Sequence, residues 1–422
     1  MRCDQVVVVV SPQGDAIREE LTTRFPKAPL HFAVQAEQRG TGDATAAGLA
    51  SLRGFKGQVF VLSGDVPLLC KETLLTLKRA ARNQDIALLS AVINNPTGYG
   101  RIVRGPEKSI AIVEHKDASP HEREISEINV GVYMADVDFL RKSLKRLTTH
   151  NAQGELYLTD IIAMAKRAKA VPLSDPHEGR GINTKRELQH VDDILRLRIL
   201  HELQDNGVTI EDLTNTFVSA DAVVQSDVIL GRGGVRLHGN TRIATGAIIE
   251  GPCVITNSTV QNDAHIYGFS HIENAHIGPK ASVGPFARLR PGTTLHASSK
   301  VGNFVELKNT TLGSHSKANH LAYLGDTTVQ EHSNIGAGTI TCNYDGVNKS
   351  ATHIGNHCFV GSNSTLVAPV TLEDGAYIAA GSTITKNIPK DALAFARTRQ
   401  INREGDAKRL REIQAGRKKK DA

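Results

Sequence analysis

The sequence predicts an α/β domain joined by a long helix to a solenoid of hexapeptide repeats, and three patterns carry that fold class. Strand-like and helical segments alternate over residues 1–183, apolar residues recur at helical steps over residues 184–207, and aliphatic residues recur mostly at steps of six over residues 208–395. A period of six matches neither an α-helix nor a strand, whereas it is typical of a three-sided solenoid. Residues 396–422 form a basic tail.

The first domain is expected to contain a mostly parallel sheet covered by helices, because strands and helices alternate along it. Its strand candidates are residues 5–10, 58–62, 86–92 and 128–134, and its helix candidates include residues 42–51 and 71–82. Residues 184–206 contain no Pro or Gly, so we expect a rigid connecting helix there. The apolar face of that helix carries Leu188, Val191, Leu195, Ile199 and Leu203.

The solenoid is marked by aliphatic residues whose side chains we expect to point into a triangular prism. A polar insertion at residues 341–352 interrupts the repeat. Such a loop has no folding role of its own, so it predicts a site or a subunit contact. The six-residue steps connect Ile277, Val283, Leu289, Leu295, Val301 and Leu307, and later Ile354, Val360, Leu366, Leu372, Ile378 and Ile384.

Composition and charge argue against a membrane protein and against a nucleic-acid-binding protein. The five cysteines form no C-x-x-C pair, which predicts free thiols in a cytoplasmic protein. The longest apolar run, residues 6–10, is too short to span a bilayer. The net charge of +6 comes without a helix-turn-helix or zinc-finger pattern. We therefore expect neither a membrane nor nucleic acid as a partner, and a solvated end at residues 417–420.

His320 is the solenoid residue best suited to acid–base chemistry, because it breaks the aliphatic rhythm close to the insertion. An imidazole titrates near neutrality and can accept a proton from an attacking amine. Two other interpretations stay open: a surface histidine, or a zinc site with His315 and His332 as in hexapeptide carbonic anhydrases. A prism has no deep pocket of its own, so we expect its sites between the prisms of a cyclic trimer.

Cationic and small residues around the insertion suggest what it binds. Cations suit a phosphate, and small residues let an extended ligand such as a pantetheine arm approach the backbone. Ordinary structural roles explain these residues as well, because basic side chains keep a prism face soluble and small residues form the tight turns of its coils. The candidates are Arg290, Lys308 and Lys349 for the phosphate, and Ala337, Ser362 and Ala380 for the arm.

In the first domain, Asp65 closely follows a buried strand candidate, where open α/β sheets bind their ligands. A carboxylate there can hold Mg²⁺ beside a nucleotide phosphate. It can equally cap a helix or a turn, and the residues alone leave both interpretations open.

Specific motifs occur over nearly the whole chain. In the solenoid they are Gly-Pro-Phe-Ala-Arg-Leu-Arg-Pro-Gly at residues 284–292, Val-Gly-Asn-Phe-Val-Glu at 301–306, Asn-His-Leu-Ala-Tyr-Leu-Gly-Asp at 319–326 and Asn-Ile-Gly-Ala-Gly-Thr-Ile-Thr-Cys-Asn-Tyr-Asp-Gly at 334–346. In the first domain they are Gln-Ala-Glu-Gln-Arg-Gly-Thr-Gly at 35–42, Ser-Gly-Asp-Val-Pro at 63–67, Pro-Thr-Gly-Tyr-Gly-Arg-Ile at 96–102, Glu-His-Lys-Asp at 114–117, Glu-Ile-Asn-Val-Gly at 127–131 and Gly-Ile-Asn at 181–183. Together these motifs resemble one family, the bifunctional bacterial enzyme N-acetylglucosamine-1-phosphate uridyltransferase / glucosamine-1-phosphate N-acetyltransferase.

For the solenoid, the resemblance implies a left-handed β-helix, a homotrimer, and acetyl transfer from acetyl-CoA to glucosamine-1-phosphate with His320 as the general base. The implied sugar-phosphate contacts are Arg290, Lys308, Tyr323, Asn334 and Lys349. The implied acetyl-CoA contacts are Ala337, Asn343, Tyr344, Ser362, Ala380 and Arg397.

For the first domain, the resemblance implies a nucleotidyltransferase that joins UTP to N-acetylglucosamine-1-phosphate. The products would be pyrophosphate and UDP-N-acetylglucosamine, which supplies peptidoglycan and lipopolysaccharide synthesis. Asp65 and Asn183 match the ligands of Mg²⁺. The implied nucleotide-sugar contacts are Gln35, Gly40, Thr41, Ser63, Gly64, Asp65, Gly100, Glu114, Asn129 and Asn183.

The sequence departs from this family in one respect: it is N-terminally truncated relative to the family pattern, without the first strand and the Gly-rich loop that ends in Gly-Thr-Arg-Met. That loop wraps the triphosphate, so we expect impaired uridylyl transfer and a gap or exposed edge in the sheet. A start assigned too late is the preferred explanation, because the other motifs are intact. The alternatives are an acetyltransferase with a non-catalytic remnant and a structural solenoid trimer without catalysis.

Overall fold

The chain divides into two units, Met1–Leu195 and Arg196–Ala422, and the division falls inside a single helix. The structure is a computed structural model that describes residues 3–106 and 109–418. Lys419 and Lys420 of the predicted basic tail lie outside the described residues. None of the helices in the described part of the chain combines the length and apolar character that a membrane crossing requires.

The first unit and the connecting helix follow the predicted order of strands and helices, with bounds within about two residues of those expected. In chain order the elements are β1 (Val6–Val10), α1 (Asp15–Arg24), β2 (Leu30–Val34), α2 (Thr41–Ala50), β3 (Gln58–Val61), α3 (Lys71–Ala80), β4 (Ile86–Val92), β5 (Arg101–Arg104), β6 (Ile110–Val113), α4 (Pro120–Arg123), β7 (Glu127–Asp136), α5 (Val137–Leu144), α6 (Ile161–Met164), β8 (Ala168–Pro172) and α7 (Lys185–Asp205).

The main sheet of the first unit is mixed, so the prediction of a mostly parallel sheet was wrong. β4 and β8 are parallel, whereas β7 is antiparallel to β3, β4 and β5, and β5 is antiparallel to β6. Only five residues separate β5 from β6, and such short connections join antiparallel strands. The antiparallel course of β7 comes instead from its pairing across the sheet with β3, β4 and β5, which lie earlier in the chain.

A break in this sheet was predicted and is present. β1 and β2 pair with each other in a separate two-stranded sheet, and among the described strands β3 pairs with β7 alone. Two core clusters lie in this unit, one containing Leu88 and the other Leu89. Successive residues of a strand point to opposite faces, so the two clusters lie on opposite faces of β4.

The second unit consists of short strands in a regular succession, followed by a final helix. The strands are β9 (Thr209–Ile210), β10 (Phe217–Val218), β11 (Val223–Val224), β12 (Ile229–Leu230), β13 (Val235–His238), β14 (Arg242–Ile243), β15 (Ile248–Ile249), β16 (Cys253–Thr256), β17 (Thr259–Val260), β18 (His265–Ile266), β19 (His271–Glu273), β20 (His276–Ile277), β21 (Ser282–Val283), β22 (Arg288–Leu289), β23 (Thr294–Leu295), β24 (Lys300–Asn303), β25 (Glu306–Lys308), β26 (Thr311–Leu312), β27 (Lys317–His320), β28 (Tyr323–Gly325), β29 (Thr327–Val329), β30 (Asn334–Ile335), β31 (Ile340–Cys342), β32 (Thr352–Ile354), β33 (Phe359–Val360), β34 (Thr365–Val367), β35 (Val370–Leu372), β36 (Tyr377–Ile378), β37 (Thr383–Ile384) and β38 (Leu393–Ala394); the helix is α8 (Asp406–Lys418).

These strands form three parallel sheets, which are the three faces of the prism. Face 1 runs from β9 through every third strand to β36 and then β38, face 2 from β10 to β37, and face 3 from β11 to β35. Leu289 pairs with Leu307, and Leu307 with Leu324, so one coil takes 18 or 17 residues. Residues separated by 17 or 18 positions are therefore neighbours on adjacent coils.

The predicted inward aliphatic residues are confirmed. None of the twelve is more than 3% exposed, and they belong to one continuous core cluster. Full burial of such a side chain stabilises a fold by about 1.5–3 kcal/mol, so the column of aliphatic residues holds the coils together. The insertion is shorter than predicted at both ends, because Thr341, Cys342 and Thr352 are strand residues.

Candidate functional site

His320 lies at the edge where face 1 meets face 2. β27 ends at His320, and the left-handed conformation of Leu321, with φ of 49°, turns the chain onto face 2. The neighbouring coil places Asn303 opposite His320, with 2.8 Å between Nδ1 of the ring and Oδ1 of the amide. An amide oxygen only accepts, so in this hydrogen bond a neutral His320 ring carries its proton on Nδ1 and has a lone pair on Nε2. His320 itself is exposed.

The small residues expected to contact acetyl-CoA continue the line of His320 along this edge. The inward aliphatic positions of β27, β30, β33 and β36 are paired from one coil to the next. The residues two positions after them therefore also fall on one line across successive coils. Backbone hydrogen bonds of 2.7 Å from Asn363 to Ala337 and 2.8 Å from Gly381 to Ser362 hold those coils together. The line, here called the His320 edge, consists of Asn303, His320, Ala337, Ser362 and Ala380.

Two predicted phosphate contacts lie on neighbouring coils of face 2. Arg290 Nη1 is 3.0 Å from Glu306 Oε1, and Lys308 Nζ is 3.5 Å from Asp326 Oδ2. The carboxylates hold both cations in place, so a phosphate would meet donors that are already oriented. Tyr323 lies on the same face, in register with Glu306.

The other predicted contacts are distributed around the same edge. Asn334 lies on face 1, so one chain does not bring every sugar-phosphate candidate to a single face. In the insertion, Tyr344 and Lys349 pair across the loop, and Asn343 at its base is only 7% exposed. Arg397 Cδ lies 4.0 Å from the place where a Cβ on Gly381 would be, just beyond Ala380.

Three residues of this site were missed from the sequence: Asn303, Glu306 and Asp326. Each fixes a predicted residue, and two of these pairs, Asn303–His320 and Asp326–Asn343, are separated by 17 positions. The length of one coil is the signal that identifies such partners.

The zinc interpretation finds no support. His315 stacks on His332 with ring centroids 4.9 Å apart, at the corner between faces 3 and 1. His320 lies at a different corner, and its Nδ1 is hydrogen-bonded to Asn303. Among residues 3–106 and 109–418, no group of three or more His, Cys, Asp or Glu side chains is arranged to hold a metal ion.

In the first unit, the structure brings together Gln35, Gly40 and Thr41, which the resemblance implies read the uracil. Gln35 Nε2 donates to the Gly40 carbonyl at 3.2 Å, and the Thr41 hydroxyl accepts from the Leu158 N–H at 3.1 Å. Gly40 has φ of 112°, and a Cβ there would lie 2.7 Å from the Leu156 carbonyl, so this turn requires glycine. α2 begins directly after it.

A second group of predicted nucleotide-sugar contacts includes Glu114 and Asn129, which the resemblance implies hold the sugar. Asn129 N–H donates to the Gly100 carbonyl at 2.9 Å, and a Cβ on Gly100 would lie 3.3 Å from Glu114 Oε1. The Ser63 hydroxyl donates to the Gly131 carbonyl at 3.2 Å. Gly64 next to Ser63 faces open space.

The carboxyl of Glu114 has an unusual environment. Burial raises its pKa, and the nearby charges of Asp117 and Asp160 act in the same direction. A hydrogen bond from the Thr159 hydroxyl, at 3.1 Å, opposes the shift without cancelling it. A carboxyl that is costly to ionise here suits contact with a sugar hydroxyl.

The metal candidates of the first unit lie on adjacent segments. The Asp65 carbonyl accepts from the Ile182 N–H at 3.0 Å, and Asp65 Oδ2 is 3.3 Å from the place where a Cβ on Gly181 would be. Asp65 does not cap α3, whose N-cap residue is Cys70. Mg²⁺ is usually held by one or two carboxylates together with substrate phosphates. The exposed Asp65 carboxylate beside the segment that leads to Asn183 fits that arrangement.

Comparison with known proteins covers both units. A model of the nucleotidyl transferase family matches residues 1–177, and a bacterial transferase hexapeptide model of six repeats matches residues 351–386. The bifunctional protein GlmU of Trichlorobacter lovleyi is 43% identical over 408 residues, and that of Geobacter sulfurreducens 43% over 425 residues. Each alignment covers 95% of this chain and 88% of the relative.

The GlmU protein of Stutzerimonas stutzeri is 45% identical over 392 residues, which are 92% of this chain and 86% of the relative. The predicted fold class is therefore confirmed: a nucleotidyltransferase unit precedes a left-handed β-helix of hexapeptide repeats. Because the alignments extend over nearly the whole chain, the comparisons do not support the expectation of impaired uridylyl transfer.

Proposed function

This chain belongs to the family of bifunctional GlmU proteins, and we propose that its two units catalyse successive steps of UDP-N-acetylglucosamine synthesis. The β-helix would transfer the acetyl group of acetyl-CoA to glucosamine-1-phosphate. The first unit would then join N-acetylglucosamine-1-phosphate to UTP and release pyrophosphate. The observation that carries the proposal is the hydrogen bond between His320 Nδ1 and Asn303, because it leaves Nε2 free to act as a base.

In acetyl transfer, the amine of the sugar attacks the thioester carbonyl, a C–N bond forms, and the C–S bond breaks to release the coenzyme A thiolate. His320 Nε2 takes the proton from the amine and passes it to the thiolate. A thioester is already activated, so positioning supplies most of the remaining rate enhancement. Arg290 and Lys308, with Tyr323, Asn334 and Lys349, would hold the sugar phosphate.

Acetyl-CoA would lie along the His320 edge. Ala337, Ser362 and Ala380 carry small side chains, so a pantetheine arm can reach the backbone there. The insertion would close over the arm from one side. The remaining proposed contacts of acetyl-CoA are Asn343, Tyr344 and Arg397.

In the first unit, Gln35, Gly40 and Thr41 would bind the uracil, while Gly100, Glu114 and Asn129 would bind the sugar. Ser63 and Gly64 border the same site. Asp65 and Asn183 would hold Mg²⁺, which when bound neutralises phosphate charge. Proposed boundaries of the parts are 1–183, 184–207, 208–395 and 396–422, and a cytoplasmic location fits these substrates.

We propose a homotrimer as the working assembly. Phe269, Phe286 and Phe304 stack on successive coils with centroids 4.7 and 5.1 Å apart, and Leu321 continues the stripe. All four side chains are 44–62% exposed in the single chain, directly beside the His320 edge. A neighbouring copy packed on this stripe would bury it and complete a site whose residues lie on two faces.

The test is an assay of both activities in the wild type, His320→Ala and the matched exposed control His332→Ala. We expect His320→Ala to lose acetyl transfer by about 10²–10⁴-fold, because a general base supplies that much. Its uridylyl transfer and its mass by light scattering should not change. Wild-type protein without acetyl transfer would refute the function, and an active His320→Ala would refute the assignment of the base.

The trimer has its own test. Phe286→Asp places a charge in the proposed seam, so we expect light scattering to show monomers and acetyl transfer to be lost. His332→Asp, at another corner, should leave both unchanged. A Phe286→Asp protein that is still trimeric would show that the stripe is not the seam.

A further inference from the structure

We propose that Asp326 is a positioning residue that couples the two substrate subsites of the β-helix, an inference that rests on the proposed acetyl transfer. Its carboxylate contacts Lys308, a proposed ligand of the sugar phosphate, and Asn343, a proposed contact of acetyl-CoA. No motif or spacing had marked Asp326 itself as a site residue. Its position between the two subsites is the reason for the assignment.

The carboxylate is surrounded by donors from the two coils on either side of it. Oδ1 accepts from Asn309 Nδ2 at 2.8 Å, and Oδ2 accepts from Asn343 Nδ2 and lies 3.5 Å from Lys308 Nζ. Asn309, Asp326 and Asn343 are each 17 positions apart, so they form one stack. The side chain of Asp326 is only 16% exposed, and these contacts use both of its oxygens.

Asp326 also holds both ends of the insertion. At the start, Asn343 donates its side-chain N–H to the carboxylate; at the end, Thr352 donates its backbone N–H to the Asp326 carbonyl at 3.1 Å. Tyr344 and Lys349 pair across the loop between these ends. A shift of Asp326 therefore moves the base of the loop that carries the proposed acetyl-CoA contacts.

A second proposed sugar contact joins the same group. A Cβ on Gly325 would lie 2.6 Å from the Tyr323 hydroxyl and 2.7 Å from Asn343 Nδ2, so these two polar groups approach each other over the bare glycine. Sugar-phosphate ligands from one side and an acetyl-CoA ligand from the other thus meet at Asp326 and Gly325. A ligand that fixes Lys308 and Tyr323 would also fix the insertion.

The carboxylate is ionised at neutral pH. Burial alone would raise the pKa of Asp326, but hydrogen bonds from Asn309 and Asn343 and the Lys308 ammonium together outweigh it, so the pKa lies below its usual value. An asparagine at this position keeps the size of the side chain and removes the charge that holds Lys308.

This coupling predicts that each ligand strengthens binding of the other, because both order the same network. The measurement is calorimetric binding of free coenzyme A to the full chain, with and without glucosamine-1-phosphate, a pair that cannot react. For the wild type we expect glucosamine-1-phosphate to tighten coenzyme A binding by about fivefold or more, near the lower end of typical allosteric coupling.

In Asp326→Asn we expect that factor to fall to about one, with the KM of both substrates raised and the pH profile set by His320 unchanged. The control is Asp374→Asn, because Asp374 accepts from Asn356 on the adjacent coil, at 2.7 and 3.0 Å, away from the His320 edge. It should keep the wild-type coupling. A merely structural role of Asp326 would lower the melting temperature without changing the coupling factor.

The outcomes are distinguishable. A wild type that binds neither ligand refutes the proposed function. A wild type that binds both ligands without coupling overturns the proposed role of Asp326 but not the proposed function. Because this measurement uses only the wild type, it tests the role of Asp326 even if Asp326→Asn does not fold. A folded Asp326→Asn with wild-type coupling also overturns it.

Discussion

The two units build their candidate sites in different ways. In the β-helix, site residues stack on successive coils above one continuous core cluster, and partners such as Asn303 and His320 are one coil apart. In the first unit, site residues come from loops, from the start of α2 and from within β7, around a sheet with two separate core clusters. Distance along the sequence therefore identifies spatial neighbours in the β-helix and does not do so in the first unit.

This difference has a mechanical consequence. A coil is in contact with the coils above and below it, so a change at one position of the β-helix is transmitted along a column of equivalent positions. A loop of the first unit is held by a few specific hydrogen bonds, such as those of Gln35 and Asn129. Changes there should affect one activity and leave the β-helix intact.

The largest effect that tests this independence is expected for Asp65→Ala. Loss of a metal ligand should lower uridylyl transfer by about 100-fold, because a bound metal ion supplies several kcal/mol of charge stabilisation. Acetyl transfer should be unchanged. Parallel assays of both reactions, with the exposed Asp15→Ala as control, measure the contrast; a loss of acetyl transfer in Asp65→Ala would show that the units are coupled.

A glycine-to-alanine substitution in each unit compares how tightly the backbone is packed at the two positions. A Cβ on Gly302 would lie 1.9 Å from the Asn319 carbonyl oxygen of the next coil, so Gly302→Ala must push coils apart at a cost of about 3 kcal/mol. Gly54 has φ of 77° and nothing within 4 Å, so Gly54→Ala should cost only about 1 kcal/mol of backbone strain. Calorimetry of each unit's transition measures both, and equal shifts would contradict the argument.

The two units also differ in how much of each could be predicted from the sequence. The six-residue period fixed the inward aliphatic residues of the β-helix, and the resemblance supplied His320 and its neighbours. Asn303 and Asp326 were missed because three six-residue steps predict a coil of 18 residues, whereas the register shows that 17 positions make one coil here. In the first unit, the antiparallel course of β7 was missed, since pairing across the sheet leaves no periodic signal.

Asn303→Ala tests whether the missed residue orients the base. Removing the acceptor of Nδ1–H frees the ring to rotate and to exchange tautomers, so acetyl transfer should fall about 10–100-fold, as for partners that orient catalytic or metal-bound histidines. The KM values should change little, because Asn303 is not among the proposed contacts of either substrate. Steady-state kinetics decide, and a loss confined to KM would assign Asn303 to binding instead.

The smallest effect, and the one of opposite sign, is expected for Glu114→Gln. The pKa of Glu114 is raised in the folded unit, chiefly by burial, so the folded form binds the proton more tightly than the unfolded chain. Stability is then lost as the pH rises from the ordinary glutamate pKa of about 4.3 through the raised value. Glutamine avoids that loss and can still accept the Thr159 hydrogen bond through Oε1.

Glu114→Gln should therefore melt at a higher temperature than the wild type at pH 7, and the gain should be much smaller at pH 4, just below the ordinary glutamate pKa, where most of the carboxyl is protonated in both states. Uridylyl transfer should fall, because the carboxylate that accepts from the sugar is gone. Calorimetry of the first transition at the two pH values measures this. An equal gain at both would trace the effect to packing, and the absence of any counterpart in the β-helix transition would confirm that the first unit responds alone.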